Sequence, residues 1–257
     1  MRLTLLALAG VAAFAAPAAA QSADEIVGKY LHAIGGMERI QAVQSLRRVG
    51  RYVGEGGFEA VVSQDNKRPA KVREEFVLQN LTGINAYDGS SGWKIEPWDG
   101  KKDPEPLGEE EMKSILEDSD FDGPLVDYRK KGNKVEYVGH DEVEGTDTYK
   151  LKVSLPNGTV LHYYMDTDSH VPIKIDIRRM IRGAEREYEM IVGDYKQVAG
   201  WYLPYSVETN LKGDPDRSKY LYDKIEANVP IDDGRFHKPA PKEPKSPATA
   251  KAREALP

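Results

Sequence analysis

Residues able to do acid–base or metal chemistry are few and scattered in this sequence. The five histidines are His32, His140, His162, His170 and His237. No two of them have the spacing of a zinc motif such as H-E-x-x-H. The chain contains no cysteine, which excludes thiolate metal sites, cysteine nucleophiles and disulfides. We therefore predict no metal site.

The densest group of candidate catalytic residues is Asp166, Asp168 and His170. These side chains could form a carboxylate and imidazole site of a hydrolase, or begin a calcium loop. An EF-hand loop needs glycine at its sixth position, where this chain has Val171. Asp and Ser also cap tight turns by accepting hydrogen bonds from nearby backbone, and Pro172 suits the start of a strand. We favour a turn and keep the hydrolase as an alternative.

Glycine-rich and acidic segments have structural explanations. Gly35-Gly36 and residues 54–57 match neither a phosphate-binding loop nor a dinucleotide fingerprint, and no G-x-S-x-G motif is present. These glycines are typical of a helix stop and a hairpin turn. Residues 109–111 are three glutamates, which suit the first turn of a helix. We therefore expect a protein that is not an enzyme, with no catalytic residues and no cofactor.

The elements around these residues include three short predicted helices. Residues 22–25 form a capping box before the apolar stripe of Ile26, Val27, Tyr30, Leu31 and Ile34. A second helix is predicted over 37–44 and a third over 109–117.

Most of the remaining sequence alternates between apolar and polar residues, as strands with one buried face do. Tyr149, Leu151 and Val153 alternate with lysines, and a Pro-Asn-Gly turn follows at 156–158. Other predicted strands cover 46–53, 58–63, 72–78, 81–87, 92–96, 134–138, 160–165, 173–177, 185–192, 205–211 and 219–229. The fold class is therefore mainly β (α+β), with about ten to twelve antiparallel strands.

Three short helices cannot cover this much sheet. A helix is about 10 Å wide and strands lie about 4.8 Å apart, so one helix covers roughly two strands. Leaving many large apolar side chains in water would cost more than the about 5–15 kcal/mol that stabilises a domain. The sheet must therefore close into a barrel, curl into a half-barrel over the helices, or keep an apolar cavity that a ligand fills. We favour the last two, which can coexist. A closed barrel or sandwich with a filled core is the alternative.

Strand alternation selects the side chains expected to line this cavity. A shift of one residue in register would reverse the choice on any strand. The predicted ligand-binding residues are Tyr149, Leu151, Val153, Ile173, Ile175, Ile177, Tyr188, Met190, Tyr205 and Val207.

The N-terminal residues predict export, and the C-terminal residues predict a disordered tail. Arg2, an apolar stretch over 3–14 and alanines at 18–20 have the pattern of a cleaved signal peptide over 1–20. We expect residues 21–237 to form one domain in the periplasm, without a lipid anchor because no cysteine is available. Residues 238–257 are rich in Lys and Pro and are predicted to be disordered. The net charge of −6 argues against nucleic acid and anionic lipid surfaces as partners.

Several segments together resemble the periplasmic outer-membrane lipoprotein-sorting family, the LolA and LolB type of carrier. They are residues 33–36 with 40–48, Tyr87-Asp88-Gly89 followed by Trp93, 164–166 with 171–174, and 227–233 running to Phe236. The resemblance implies an unclosed barrel with a helical lid and a cavity for the acyl chains of lipoproteins. The family's functional arginine would fall in the region of Arg47, Arg48 and Arg51.

The leading hypothesis is a periplasmic carrier that holds acyl chains of lipids or lipoproteins, and that has a part in outer-membrane lipoprotein sorting. We expect a monomer that meets an inner- or outer-membrane protein. The alternatives are a periplasmic hydrolase using Asp166, Asp168 and His170, and an envelope assembly or scaffold protein that adds a partner strand to its sheet edge.

Overall fold

The computed structural model describes residues 21–240. The predicted signal peptide, and residues 241–257 of the predicted tail, lie outside the described residues. The strands are β1 (Ser45–Val53), β2 (Glu59–Lys67), β3 (Lys71–Leu78), β4 (Leu81–Tyr87), β5 (Gly92–Ile95), β6 (Glu105–Pro106), β7 (Lys134–Val143), β8 (Thr146–Ser154), β9 (Val160–Asp166), β10 (Pro172–Ile181), β11 (Ala184–Val198), β12 (Trp201–Leu211) and β13 (Ser218–Ala227).

All thirteen strands belong to one antiparallel sheet that does not close into a barrel. The order is β6-β5-β4-β3-β2-β1-β13-β12-β11-β10-β9-β8-β7, so the first and last strands are neighbours in the middle of the sheet. Leu46 of β1 pairs with Ala227 of β13. The two edge strands, β6 and β7, are joined by a long connection over 107–133, which must cross the sheet from one edge to the other.

Three α-helices lie on one face, which we call the inner face. They are α1 (Ala23–Ala33), α2 (Met37–Ala42) and α3 (Glu109–Ser119). Ser22 and Glu25 form the predicted capping box at the start of α1. Gly35 follows α1 with a φ of 121°, and a Cβ there would lie 2.1 Å from the carbonyl oxygen of Gly200. Glycine is therefore required where this link meets the β11–β12 turn.

The predicted fold class is confirmed, with an unclosed antiparallel sheet and three helices. The strand beyond the predicted ten to twelve is β6, whose two residues carry no alternation to detect. Strands β11 and β12 are longer than expected, because the sheet continues through Gly193 and Pro204. Both residues usually end strands in a sequence-based prediction.

The helices fill two parts of the inner face with apolar core. The first core cluster contains Ile26 and Val27 of α1, packed on Leu151, Ile175 and their neighbours in β8–β10. The second contains Ile40 of α2, packed on side chains of β1, β12 and β13. Neither cluster covers the inner side of β2 and β3 or the adjoining halves of β1, β11, β12 and β13. Helix α3 lies over this region.

On the opposite, outer face the segment 229–237 covers β1–β5. Phe236 is fully buried, and its carbonyl oxygen accepts a hydrogen bond from Trp93 Nε1 at 2.7 Å. The carboxylate of Asp65 is bonded by Arg47 and by Arg235. This segment, which we call the C-terminal strap, therefore covers part of the outer face, around Asp65 and Trp93.

Candidate functional site

The predicted cavity residues fall into distinct surroundings. Four are buried in the first core cluster, where side chains of α1 and Leu125 occupy the space above them: Leu151, Val153, Ile175 and Ile177. Tyr149, Tyr188 and Met190 pack half-buried against that cluster, and Tyr205 packs against the second. Ile173 lies at a register shift in β10 and belongs to neither cluster. Two of the ten, Met190 and Val207, line an open cavity.

That cavity lies on the inner face, between the sheet and α3, and has a volume of about 230 Å³. Its apolar and aromatic lining consists of Val62, Phe76, Met190, Val207, Tyr220 and Tyr222. Small-molecule sites in proteins usually measure about 300–1,000 Å³, so this cavity is small for a closed site. A ligand of the usual size would fit only if α3 moved.

An aromatic group continues from the cavity toward the end of the sheet. The Tyr52 ring lies 5.0 Å from that of Tyr220 and 6.0 Å from that of Phe76, centroid to centroid. Phe58 in the β1–β2 turn extends the group and is 47% exposed. Neither α1 nor α2 covers these rings, since neither core cluster includes them.

Arg48, in β1, lies on this part of the inner face. Its Nη1 donates to Gln64 Oε1 at 2.8 Å and to Asn66 Oδ1 at 2.7 Å. Gln64 Nε2 in turn donates to Glu74 Oε1 at 2.7 Å. Burial lowers the pKa of Arg48, but a guanidinium remains charged at any physiological pH. Of the three arginines in this region, Arg48 is the one on the inner face.

Two carboxylates face the cavity from opposite sides, Glu74 from β3 and Asp118 from α3. Burial raises the pKa of Glu74. The pKa of Asp118 is raised well above its ordinary value, first by burial and then by the negative charges of Glu74 and Glu117. Asp118 is open to water within the cavity, but the sheet and α3 surround it. Both carboxylates therefore hold their protons more tightly than exposed acids do.

Helix α3 buries one large apolar side chain, Ile115, and makes several polar contacts. The Glu117 carboxylate accepts from Arg179 Nη2 at 3.0 Å, from Thr159 Oγ1 at 2.9 Å and from Asn157 Nδ2 at 2.8 Å. On the other side, Asn66 Nδ2 donates to the backbone oxygen of Asp118 at 2.9 Å. A second cavity of about 250 Å³ separates α3 from the end of β10. The helix therefore lies over loosely filled space.

The Asp166, Asp168 and His170 group forms a turn between β9 and β10. Asp166 Oδ1 accepts hydrogen bonds from the backbone N–H groups of Asp168 and Ser169, at 2.7 and 2.9 Å. The N–H of His170 donates to the backbone oxygen of Asp166 at 2.9 Å. The Asp166 carboxylate thus caps the turn, as the structural interpretation of this segment expected.

Within residues 21–240, no group of three His, Asp or Glu side chains could hold a metal ion. In the same part of the chain, no helix is long and apolar enough to cross a membrane.

The sequence-based list missed most of the cavity lining. Gln64, Glu74, Phe76, Asp118 and Tyr220 were not among the predicted residues. One signal was available in β3, where Glu74 lies between Val72 and Phe76 on the apolar side of an alternating strand. An acid in that position indicates a polar feature on a buried face.

No protein-family model and no curated protein sequence matches this chain. Solved structures do match in fold. A LolA superfamily protein from Nitrosomonas europaea has a TM-score of 0.57 at 12% identity, over 85% of this chain and 99% of that one. A putative outer membrane lipoprotein-sorting protein domain from Vibrio parahaemolyticus has a TM-score of 0.55 at 9% identity, over 83% and 95%. A DUF1329 family protein from Desulfovibrio piger has a TM-score of 0.58 at 12% identity, over 84% and 97%.

Proposed function

We propose that this chain, which has the half-barrel fold of the LolA superfamily, is a periplasmic carrier that holds acyl chains of lipids or lipoproteins. The observation that carries the proposal is the inner-face cavity beneath α3, bordered by Val62, Phe76, Met190 and Val207 and continuous with the aromatic group around Tyr52. An apolar chain placed there would remove these side chains from water, at about 25 cal/mol for each Å² buried.

Helix α3 acts as the lid in this proposal. The cavity of about 230 Å³ is too small for a complete acyl chain, so binding requires the lid to lift. Hydrogen bonds and one ion pair to Glu117 hold the lid, and water can replace such contacts when the helix opens. Ile115 is the one large apolar side chain that α3 buries, and a lid with more such packing would open at greater cost.

The descriptions of similar structures support the proposed acyl-chain ligand and the proposed periplasmic location. The Vibrio parahaemolyticus domain is described as a putative outer membrane lipoprotein-sorting protein, so we extend the proposal to a part in lipoprotein sorting. The predicted signal peptide places this carrier in the periplasm, where it would meet an inner- or outer-membrane protein.

The two alternative functions have less support. Asp166 caps its turn, and Nδ1 of His170 has no hydrogen-bond partner within the described residues, so no carboxylate orients this imidazole as the base of a hydrolase. Strand β7 is a sheet edge, but it has an irregular register between Tyr137 and Gly139 and carries the charged residues Lys134, Glu136 and Asp141. Bulges and charges on an edge disfavour addition of a partner strand.

Filling the cavity tests the carrier directly. Val62 lies on the inner side of β2 and is 4% exposed, so Val62→Trp would place an indole where the acyl chain is proposed to lie. We expect its affinity for the neutral fluorescent probe N-phenyl-1-naphthylamine to fall by about tenfold, since about 1.4 kcal/mol of apolar contact is lost. Fluorescence titration measures the affinity. Native mass spectrometry of the parent protein purified from a bacterial envelope should show bound lipid.

The matched control is Val61→Trp, one residue away on the outer side of the same strand and 55% exposed. It adds the same side chain outside the cavity and should leave probe affinity unchanged. Equal affinities for both variants, or a parent protein that neither binds the probe nor carries lipid, would contradict the proposed function.

A further inference from the structure

The positive and negative charges of the side chains around the cavity do not sum to zero. Glu74 and Asp118 face the space, and Arg48 beneath them is the base associated with both. Glu117 and Arg179 lie next to Asp118 but form an ion pair with each other at 3.0 Å. When both cavity acids are ionised, the group therefore has one negative charge in excess.

Tyrosines do not supply a compensating charge. Burial raises the pKa of both Tyr220 and Tyr222, so their hydroxyls stay neutral. Arg48 is already directed to the amide oxygens of Gln64 and Asn66. Glu74 accepts a hydrogen bond from the neutral amide of Gln64, and Asp118 is open to water in the cavity, so within residues 21–240 no basic side chain bonds directly to either carboxylate. The raised pKa of both acids indicates that a bound proton relieves the excess negative charge.

A positively charged ligand group could take the place of that proton. An ammonium group has several N–H donors and could bond to carboxylates on both sides of the cavity. Phe76, Tyr220 and Tyr222 line the same cavity, and cations are attracted to the faces of aromatic rings. A ligand carboxylate would instead meet two acids and one arginine already engaged with amide oxygens.

We infer that this cavity selects amphiphiles that carry one ammonium group beside the alkyl chain, with Glu74 and Asp118 as the residues that determine this specificity. The inference rests on the proposed function, because it assigns the ligand class of the same cavity. The alkyl chain lies along Val62, Met190 and Val207, and the ammonium group lies between β3 and α3.

The test compares three amphiphiles of equal chain length below their micellar concentrations: dodecylamine, dodecanol and dodecanoate. Isothermal titration calorimetry with the full mature chain should show dodecylamine binding about tenfold more tightly than dodecanoate, with dodecanol between them. In a Glu74→Gln and Asp118→Asn double variant, the affinity for dodecylamine should fall to that of dodecanol.

The control is Glu109→Gln, which removes one negative charge from the exposed side of the same helix. It should keep the preference for the amine, which separates a local effect of the cavity acids from general charge attraction. Equal binding of all three amphiphiles, or tighter binding of dodecanoate, would overturn the inference and leave the carrier intact. Binding of none of them would overturn both. Circular dichroism of each variant establishes that it is folded.

Discussion

Among individual residues, the two acids that face the inner cavity are the least expected feature of this half-barrel. Glu74 occupies a strand position between two apolar side chains, and Asp118 faces it from α3. The pKa of each is raised, chiefly because the surrounding sheet and α3 reduce the solvation of the carboxylate, although Asp118 keeps contact with water in the cavity. Such residues stabilise the folded state less as they ionise, so they are retained at a cost to stability.

Replacing Asp118 with a neutral isostere should therefore stabilise the protein at neutral and alkaline pH. The folded-state pKa of Asp118 is raised, so its contribution to stability is fully present below its unfolded pKa and is lost as pH rises through the folded value. We expect Asp118→Asn to unfold at a higher temperature than the parent near about pH 8, and at a similar temperature near about pH 4. Thermal unfolding monitored by circular dichroism measures the difference.

Asp24→Asn gives the opposite sign and serves as the control. Hydrogen bonds from Arg129 and Tyr128 lower the pKa of Asp24, so its contribution is present at neutral pH and is lost as pH falls through the folded value. Asp24→Asn should destabilise the protein at neutral pH and have little effect in acid. An Asp118→Asn variant that is less stable than the parent at high pH would contradict the expectation that ionised Asp118 destabilises the folded state.

Among the elements, α3 differs from α1 and α2 in how it is attached. The first two helices each contribute apolar side chains to a core cluster, whereas α3 contributes to neither. It buries one large apolar side chain, Ile115, and is otherwise anchored through Glu117 and the Asp118 backbone oxygen. Empty space lies on both sides of it. Elements with few buried apolar contacts open at lower free energy than the rest of a fold, so α3 is the expected moving part.

Removing the Glu117 contacts should increase local opening of α3. Glu117→Ala breaks the Arg179 ion pair and two further hydrogen bonds. We expect amide hydrogen exchange over residues 112–119 to accelerate by about tenfold, while exchange in α1 stays unchanged. Mass spectrometry of exchanged peptides measures both. Glu109→Ala, at the solvent side of the same helix, should change neither, and equal acceleration in the two variants would argue against a Glu117 latch.

Across the whole molecule, the sheet order joins the two ends of the described chain. Pairing of β1 with β13 brings the strap into reach of β1–β5, where its side chains cover the outer face. The inner face can therefore remain partly open while the strap packs on part of the outer face of the same strands. A carrier needs this asymmetry, because its stability has to come from surfaces other than the binding cavity.

The strap should account for a measurable part of global stability. Phe236 is fully buried beside Trp93, so Phe236→Ala should reduce the free energy of unfolding by about 3–5 kcal/mol. Urea unfolding followed by tryptophan fluorescence measures the change. His237→Ala, the next and exposed residue, should have little effect. A small loss for Phe236→Ala would mean that the strap is not part of the cooperative unit.

Local features of this protein were determined by its sequence. The alternation of Leu151 and Val153 with lysines predicted the strands, and the capping box at Ser22 predicted the start of α1. Comparing the amount of sheet with the width of three helices favoured a half-barrel or a cavity, and the resemblance to the lipoprotein-sorting family implied the unclosed barrel. These predictions rest on backbone geometry and burial, which neighbouring residues express along the chain.

Only the tertiary structure decided which part of the inner face stays open. Alternation assigns a side chain to a face, but the path of the connections decides what covers it. Helix α1 lies over Leu151 and Ile175 and makes them core, whereas Val62, Phe76 and Tyr220 remain at the cavity. The meeting of Glu74 with Asp118 likewise depends on where the long β6–β7 connection crosses the sheet, and long-range packing sets that position.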